Sequence, residues 1–214
     1  MASDMAQGIP PLPETLPDDP LPLVAAWLAE AARLVRNSTS MTLATVGADG
    51  HPAARMVICR GFDAGAGSLV FYTDRDSDKG GELARHPWAA AVFHWDAVER
   101  QIRVSGPVTD VADAESDAYW ASRPPDARAA AAASAQSRPL ASRAALLARI
   151  GEVAARGDVA RPPRWGGYRV WAERVELWVG QPGRAHDRAR WTRALTPDGD
   201  RFKGGAWSGT RLNP

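Results

Sequence analysis

Residues 41–63, MTLATVGADGHPAARMVICRGFD, constrain the fold more than any other stretch of the chain. Apolar and polar residues alternate up to Val46, an Asp-Gly pair follows at Asp49 and Gly50, and alternation returns over residues 55–60. A period of two is that of a β-strand, and Asp-Gly between two such runs favours a tight hairpin. The chain is therefore expected to contain an antiparallel sheet.

More strand-like segments lie on both sides of a helical region. SLVFYT, AAAVFHW and RQIRVSGPVTDV precede it, and GGYRVWAERVELWVG and RAHDRARWTRAL follow it. Helical spacing of apolar residues begins at Leu23 and returns over residues 113–122 and 142–155, and a short helix follows DSDKGG. There is no alternation of strand and helix typical of a parallel sheet. The pattern predicts an α+β protein with six or more antiparallel strands, which form a closed or partly closed β-barrel with peripheral helices.

The beginning of the chain differs in composition from the rest. MASDMAQGIPPLPETLPDDP is rich in proline and poor in apolar side chains, so we expect residues 1–20 to be a mobile arm. Residues 21–214 are long enough to bury a sizeable core, which predicts one domain.

Charge and cysteine content exclude several classes of protein. The 26 Lys and Arg balance 25 Asp and Glu, a net charge of +1, so no overall field attracts nucleic acid or an anionic membrane. The single cysteine, Cys59, cannot form an internal disulfide and sits in the apolar run MVICR, which favours a buried thiol. The four histidines lack metal-site spacing, so no metal is expected. Without a leader or a long apolar run, a cytoplasmic protein is predicted.

Cationic side chains are concentrated near the end of the chain. In WVGQPGRAHDRARW, residues 178–191, they recur at every second position: Arg184, His186, Arg188 and Arg190. If this stretch is extended, all four lie on one face of a sheet. Lys79 beside the short helix and Trp178 would add a cation and an aromatic surface, which together suit a phosphorylated aromatic ligand. The simpler alternative is solvated strand-edge charges and a core tryptophan.

At this point a family resemblance becomes visible. The blocks RMVICRGFD, FYTDRDSDKGGELARHP, ERQIRVSG, YWASRP, QSRPLASR, PPRWGGYRV, ERVELWVGQPGRAHDRARW and RLNP occur in the order found in the pyridoxamine 5′-phosphate oxidase family. The chain resembles that family over roughly residues 20–214. The resemblance implies an FMN-binding split barrel, and a homodimer whose two FMN sites draw residues from both subunits.

The resemblance also assigns site residues. The implied FMN contacts are Arg55, Met56, Val57, Ile58, Arg60, Tyr72, Thr73, Lys79, Gln101, Gln136, Ser137, Trp178 and Arg188. The implied substrate contacts are Arg60, Tyr119, Arg123, Arg184 and His186, of which Arg184 and His186 are the catalytic candidates. Arg188 is expected to stabilise the negative charge that develops on the flavin as it is reduced.

The implied reaction is the oxidation of a small aromatic substrate, pyridoxine or pyridoxamine 5′-phosphate. A hydride passes from its C4′ carbon to FMN, and O2 reoxidises the flavin, giving pyridoxal 5′-phosphate and peroxide.

Four departures from the family pattern concern phosphate and substrate contacts. Arg60 stands where the family motif RMVLLK ends in lysine, and Ala127 stands where a serine helps to hold the substrate phosphate. Asp78 replaces the arginine of the SRK motif, so that Lys79 has one cation fewer beside it at the implied flavin phosphate site. Residues 1–30 also contain no Arg-x-x-Tyr element that would cover the substrate.

These departures leave two alternatives open. The phenazine-biosynthesis flavoproteins are similar in sequence, lack the same element, begin with a comparable Pro-rich arm and oxidise a reduced phenazine carboxylic acid. A split-barrel protein that holds a flavin without turnover is the other alternative, although Arg184 and His186 argue against it because a flavin carrier needs no groups beyond the flavin.

Overall fold

The computed structural model describes residues 9–214 and contains five α-helices in that range. They are α1 (Leu21–Leu34), α2 (Asp78–Arg85), α3 (Asp113–Ser122), α4 (Pro125–Ala133) and α5 (Arg143–Ala154). The strands are β1 (Ser40–Val46), β2 (Pro52–Ile58), β3 (Gly61–Asp63), β4 (Ser68–Asp74), β5 (Trp88–Trp95), β6 (Arg100–Asp110), β7 (Trp165–Trp171), β8 (Arg174–Val179), β9 (Asp187–Thr192), β10 (Leu195–Asp198), β11 (Arg201–Gly204) and β12 (Ser208–Leu212).

The main sheet is antiparallel, and strand β6 is where it divides. Its central path runs β12-β9-β8-β6-β5-β1-β2, while β7 joins β6 to β4 and β4 carries β3. The first part of β6 pairs with β8 and its last residues, 108–110, pair with β7. At Gly106, between the two, a Cβ would lie 1.9 Å from the Trp171 carbonyl oxygen, so only glycine allows β7 to approach. The predicted α+β split barrel with peripheral helices is confirmed.

The core lies between the two parts of the divided sheet. Trp171, Trp191, Phe71 and Phe93 are among its largest fully buried side chains. Each such side chain stabilises the fold by roughly 1.5–3 kcal/mol through burial of apolar surface. Strands β4 and β7 are buried along almost their whole length. They are therefore the part of the sheet that fixes the position of the neighbouring polar residues.

The predicted helices are present, and one helix was missed. The helix over residues 113–122 has the predicted bounds, and α1 and α5 agree with their predictions within two residues. Helix α4 covers residues 127–133, the first part of the alanine-rich stretch 127–143, where the apolar pattern predicted no helix before residue 142. It has no helical stripe to recognise, but alanine has the highest intrinsic helix propensity and Pro125 suits the first helical position.

The hairpin is present, but its second strand ends earlier than predicted. Strand β2 pairs with β1 from Pro52 to Ile58 and does not reach Arg60. After Ile58 the chain changes partner, because the Arg60 N–H donates to the carbonyl of Val70 on β4. Among the described residues no strand pairs with the outer edge of β2, and its Met56 side chain is 63% exposed.

Residues 9–20 of the predicted arm contact the end of the chain. Leu12 is buried, and its N–H donates to Asp187 Oδ2 over 2.8 Å. Arg211 on β12 also binds Asp187, and donates over 2.6 Å to the carbonyl of Pro13. The division of the chain at residue 20 stays a prediction, and residues 1–8 of the predicted arm lie outside the described residues.

Candidate functional site

A buried lysine is the centre of the first polar group. Lys79 Nζ donates to Thr73 Oγ1 over 3.0 Å, to Ser77 Oγ over 2.9 Å and to Gln136 Oε1 over 2.9 Å. We call these four residues the lysine cluster. Thr73 also donates to Gln136 Oε1 over 2.9 Å. The structure thus brings together Thr73, Lys79 and Gln136, three of the predicted cofactor contacts.

Local backbone structure sets the position of Lys79. Thr73 is near the end of β4, a turn follows at residues 75–77, and Lys79 lies in the first turn of α2. At Gly80 a Cβ would lie 2.0 Å from the carbonyl oxygen of Arg75, so glycine is what allows the helix to lie directly on the turn. This close approach turns the lysine inward, where it is 6% exposed.

Arg55 adds a second cation near the lysine cluster. It extends from β2 and binds Glu82 of α2 over 2.7 Å, and it also donates to Thr45. Burial lowers the pKa of Lys79, and the positive charge of Arg55 lowers it further. The carboxylates of Asp74, Asp78 and Glu82 oppose this lowering, so Lys79 lies among both cations and carboxylates.

The second group consists of aromatic rings and two arginines. Tyr72 stacks on Tyr119 with ring centroids 4.2 Å apart, and Arg60 lies over the Tyr119 ring at 5.7 Å. Arg123 belongs to the same group. It follows Tyr119 by four positions, about one helical turn, and it lies close enough to Arg60 for the two positive charges to interact. We call Arg60, Tyr72, Tyr119 and Arg123 the arginine–tyrosine cluster. Tyr72 and Thr73 are consecutive on β4, so one strand carries a member of each cluster, and alternation directs these two side chains to opposite faces of the sheet.

Arg123 is partly buried and incompletely paired. Its guanidinium lies 4.9 Å from the ring centre of Trp165, and one terminal nitrogen donates to the Ala127 carbonyl over 3.0 Å. Its Nε is buried without a hydrogen-bond partner among the described residues. Burial lowers the pKa of Arg123, and the charge of Arg60 lowers it further. The Nε atoms of Arg75, Arg100 and Arg128 are in the same state, so it is the positive charge that Arg123 shares with Arg60, rather than this nitrogen, that suits the group to an anionic ligand.

Tyr72 keeps its proton over the whole physiological range. Burial raises the pKa of Tyr72 to about 12, and the negative charge of Glu115 contributes to the rise. Its hydroxyl donates to Glu115 Oε1 over 3.4 Å. The ring therefore acts as a neutral surface between the two clusters.

A third group forms a row across three strands. Gln101 on β6 is opposite Trp178 on β8, and Trp178 is opposite Arg188 on β9. Directly paired residues share a face of the sheet, so these three side chains, the sheet row, lie side by side. Arg188 is held by Glu176, a buried carboxylate 2.8 Å away.

The predicted alternation of the cationic stretch is wrong at its beginning. Residues Pro182–Arg184 form a short 3-10 turn in which Gly183 and Arg184 have φ of 66° and 62°, and β9 begins only at Asp187. Proline and glycine interrupt the strand, so Arg184 and His186 do not share a strand face with Arg188. Residues 181–186 are called the catalytic turn below, after the role predicted for it.

The catalytic turn holds His186 through the backbone. The Gln181 N–H donates to His186 Nδ1 over 3.1 Å, and the ring of His186 lies 4.8 Å from that of Trp178. A neutral ring that accepts at Nδ1 carries its proton on Nε2. His186 is therefore placed beside the sheet row, while Arg184 is exposed.

The remaining predicted residues are placed around these groups. Met56 and Ile58 are exposed on β2, Val57 packs against the core, and Ser137 has φ of 68° in the loop after α4. In the described residues no hydrogen bond or ring contact joins the sheet row to the lysine cluster. The predicted site residues therefore form two separate sets within one chain.

Several residues of these groups were not predicted. Glu82 and Glu176 are buried carboxylates that hold Arg55 and Arg188. Trp165 stacks on Tyr72 at 5.4 Å, and His94 is opposite Gln101 on β5. Alternation on β8 gave no signal for Glu176, because it places this carboxylate with Trp178 on the face opposite to the core residues Val175 and Leu177.

Residues 9–214 contain no group of three or more His, Cys, Asp or Glu side chains that would hold a metal ion. None of the helices in this range is both long and apolar enough to cross a membrane.

Two family models match the chain. The model described as pyridoxamine 5′-phosphate oxidase matches residues 28–157, and that of the pyridoxine 5′-phosphate oxidase C-terminal dimerisation region matches residues 165–214. The second model covers β7–β12, which include two residues of the sheet row and the catalytic turn.

Similar proteins agree with these matches. Pyridoxine/pyridoxamine 5′-phosphate oxidase of Rhodopseudomonas palustris strain HaA2 is 47% identical, covering 94% of this chain and 92% of the relative. The protein of that name from Paracoccus denitrificans is 46% identical, covering 92% and 96%. The crystal structure of PhzG from Burkholderia lata 383 in complex with tetrahydrophenazine-1-carboxylic acid has a TM-score of 0.81 at 33% identity, covering 92% and 94%. The chain belongs to the pyridoxamine 5′-phosphate oxidase family.

Proposed function

We propose that this protein is an FMN-dependent oxidase of pyridoxine and pyridoxamine 5′-phosphate, which forms pyridoxal 5′-phosphate and peroxide. The observation that carries the proposal is the arginine–tyrosine cluster, where Arg60 lies over the Tyr119 ring and is close enough to Arg123 for the two positive charges to repel. A phosphate monoester supplies the acceptor oxygens that these donors require. The names of the relatives at 46–47% identity agree with this substrate.

The donors of the lysine cluster fit the phosphate of FMN. Lys79 provides a buried ammonium and Thr73 a hydroxyl, and both donate to Gln136 Oε1, so a phosphate oxygen in the place of this amide oxygen would accept from both. This is a mixed set of charged and neutral hydrogen-bonding groups, as a phosphate requires.

Two copies of the chain are needed to complete the site. The sheet row and the catalytic turn have no contact with the lysine cluster inside one chain, and the family model over residues 165–214 describes a dimerisation region. We propose a homodimer in which each FMN lies between the lysine cluster of one subunit and the sheet row of the other. The exposed apolar side chains of Met56 and Ile58 on the free edge of β2 suit such an interface.

When bound, FMN supplies the redox chemistry, because it accepts a hydride from the substrate and returns the electrons to O2. The protein holds and polarises the reactants. Arg188, fixed by Glu176, provides positive charge where the flavin becomes negative. His186 donates a hydrogen bond from Nε2 to the substrate, and Arg184 covers the substrate ring.

Arg60 and Arg123 hold the substrate phosphate without help from residue 127. Ala127 has no hydroxyl, and its carbonyl already accepts a hydrogen bond from Arg123. The guanidinium of Arg60 has more donors than the lysine ammonium of the family motif, and they compensate for the missing hydroxyl.

Purified protein tests the proposal directly. We expect a yellow protein that releases FMN on denaturation and produces peroxide with pyridoxine 5′-phosphate. A colourless protein that does not bind added FMN would contradict the cofactor assignment.

The similarity to PhzG favours a second candidate, oxidation of a reduced phenazine carboxylic acid. Peroxide formation with pyridoxine 5′-phosphate and with a dihydrophenazine carboxylate separates the two. Turnover of the phenazine compound alone would replace the first proposal with the second.

A further inference from the structure

Asp78 presents an electrostatic problem beside the lysine cluster. It is the first residue of α2 and precedes Lys79 in the chain. A carboxylate in this position repels a phosphate dianion, so the affinity for FMN would fall unless its charge were compensated.

Arg138 provides this compensation from a different part of the chain. Its terminal nitrogen NH2 lies 2.6 Å from Asp78 Oδ1 and 3.3 Å from the carbonyl oxygen of Asp76, to which it donates. Sixty positions separate the two members of the ion pair. The loop after α4 thus brings a guanidinium to the beginning of α2.

The backbone of this loop directs two side chains toward the same place. Gln136 accepts hydrogen bonds from Lys79 and Thr73, and Arg138 follows it by two residues. Between them Ser137 has φ of 68°, in the left-handed region, so the chain reverses locally and both flanking side chains contact α2 or the turn before it. Gln136 and Arg138 therefore act from the two sides of one turn.

We propose that Arg138 is a ligand of the FMN phosphate. The inference rests on the proposed function, because it takes the lysine cluster as the phosphate site. A guanidinium has five N–H donors, and in residues 9–214 the side-chain hydrogen bonds of Arg138 involve only Nη2. Asp78 is a positioning residue, because it fixes the guanidinium of Arg138 through one nitrogen. The other N–H groups of that guanidinium are then left for the phosphate.

The space beside the ion pair is large enough for this role. A cavity of about 620 Å³ is lined by Ser77, Asp78 and Arg138, by the further cations Arg75 and Arg85, and by the carboxylates Asp76 and Glu82. Ser77 also accepts a hydrogen bond from Lys79, which connects this cavity to the lysine cluster. The pair is half exposed, so its own contribution to folding stability is small, and its main effect is expected on the ligand.

Binding of FMN and of riboflavin to flavin-free, full-length protein tests the proposal, because riboflavin has the same ring system without the phosphate. We expect Arg138→Ala to weaken FMN binding by about tenfold to a hundredfold and to leave riboflavin binding unchanged. Arg138→Gln keeps the length of the side chain and gives the same result if the alanine variant is unstable. Arg149→Ala, which removes an exposed arginine from α5, is the matched control with wild-type affinity.

A rescue experiment separates a phosphate ligand from simple charge compensation. In the Arg138→Ala background, Asp78→Arg returns a guanidinium to the site and is expected to restore most of the FMN affinity. Asp78→Asn only removes the negative charge and is expected to restore little. Full rescue by Asp78→Asn would overturn the proposal, and so would equal losses of FMN and riboflavin affinity in Arg138→Ala. Wild-type protein that binds neither flavin would instead refute the proposed function.

Discussion

Lys79 and Arg184 are both cations of the proposed site, but they are held in different ways. Lys79 is 6% exposed and has three hydrogen-bond acceptors from β4, the following turn and the loop after α4. Arg184 is exposed, and its backbone has φ of 62° in a short 3-10 turn. The lysine cluster is thus complete within one chain, whereas the catalytic turn presents its side chain outward. Under the proposed function, cofactor binding would be preorganised, and the second subunit and the substrate would complete the site.

Replacing Arg184 should produce the largest effect and should separate the two regions. We expect Arg184→Ala to lower substrate oxidation by about two orders of magnitude or more, because the group that covers the substrate ring and holds it in position is lost. Bound FMN should remain at the wild-type level, since Arg184 does not contact the lysine cluster. Stopped-flow reduction of the flavin and the flavin content of the purified variant measure the two properties. Unchanged turnover would remove Arg184 from the site.

Replacing Lys79 should have the opposite pattern. We expect Lys79→Met, which keeps the side-chain volume, to weaken FMN binding by between about tenfold and a hundredfold, as expected for loss of a charged hydrogen-bonding group. With FMN in saturating excess, the rate of flavin reduction should stay near that of the wild type. Fluorescence titration gives the affinity. A large loss of rate at saturation would show that the two regions are not separable.

The arginine–tyrosine cluster lies between these extremes and tests the substrate. We expect Arg123→Ala to raise KM for pyridoxine 5′-phosphate by about tenfold, because the buried guanidinium no longer binds the phosphate. FMN affinity should be unaffected. Steady-state peroxide assays measure KM, and the non-phosphorylated alcohol pyridoxine serves as the matched substrate that should not respond. An equal response to both substrates would place Arg123 away from the phosphate.

The smallest effect is expected from pH. The pKa of Lys79 is lowered by burial and by Arg55, and phosphate binding favours the protonated amine. As the pH rises through this lowered pKa, Lys79 loses its proton in the free protein and must take it up again when FMN binds. FMN affinity should therefore weaken a few-fold in the alkaline range below about pH 10.5. In the same range Lys79→Arg should show a flat profile, because arginine stays charged. FMN titrations at several pH values distinguish the wild type from Lys79→Arg. Identical affinity profiles for the two proteins would show that a group other than Lys79 titrates.

The sequence predicted the regular parts of the fold because they follow local periodicity. The hairpin at Asp49 and Gly50 and the helix over residues 113–122 need no information from distant residues. The pairing of Asp78 with Arg138 was not predicted, because two positions sixty residues apart become neighbours only when the loop after α4 reaches α2. The end of the alternation at Asp187 was missed for a different reason. Pro182 and Gly183 were visible breakers, but the regular spacing of charges was given more weight.

The position of Asp187 has a consequence for folding kinetics. It binds the N–H of Leu12 and the side chain of Arg211, and Arg211 binds Pro13, which is 198 positions away in the chain. Closing so long a loop is costly in entropy, so these contacts are expected to form after the barrel has assembled. Substitutions at this junction should then accelerate unfolding while the refolding rate stays nearly constant.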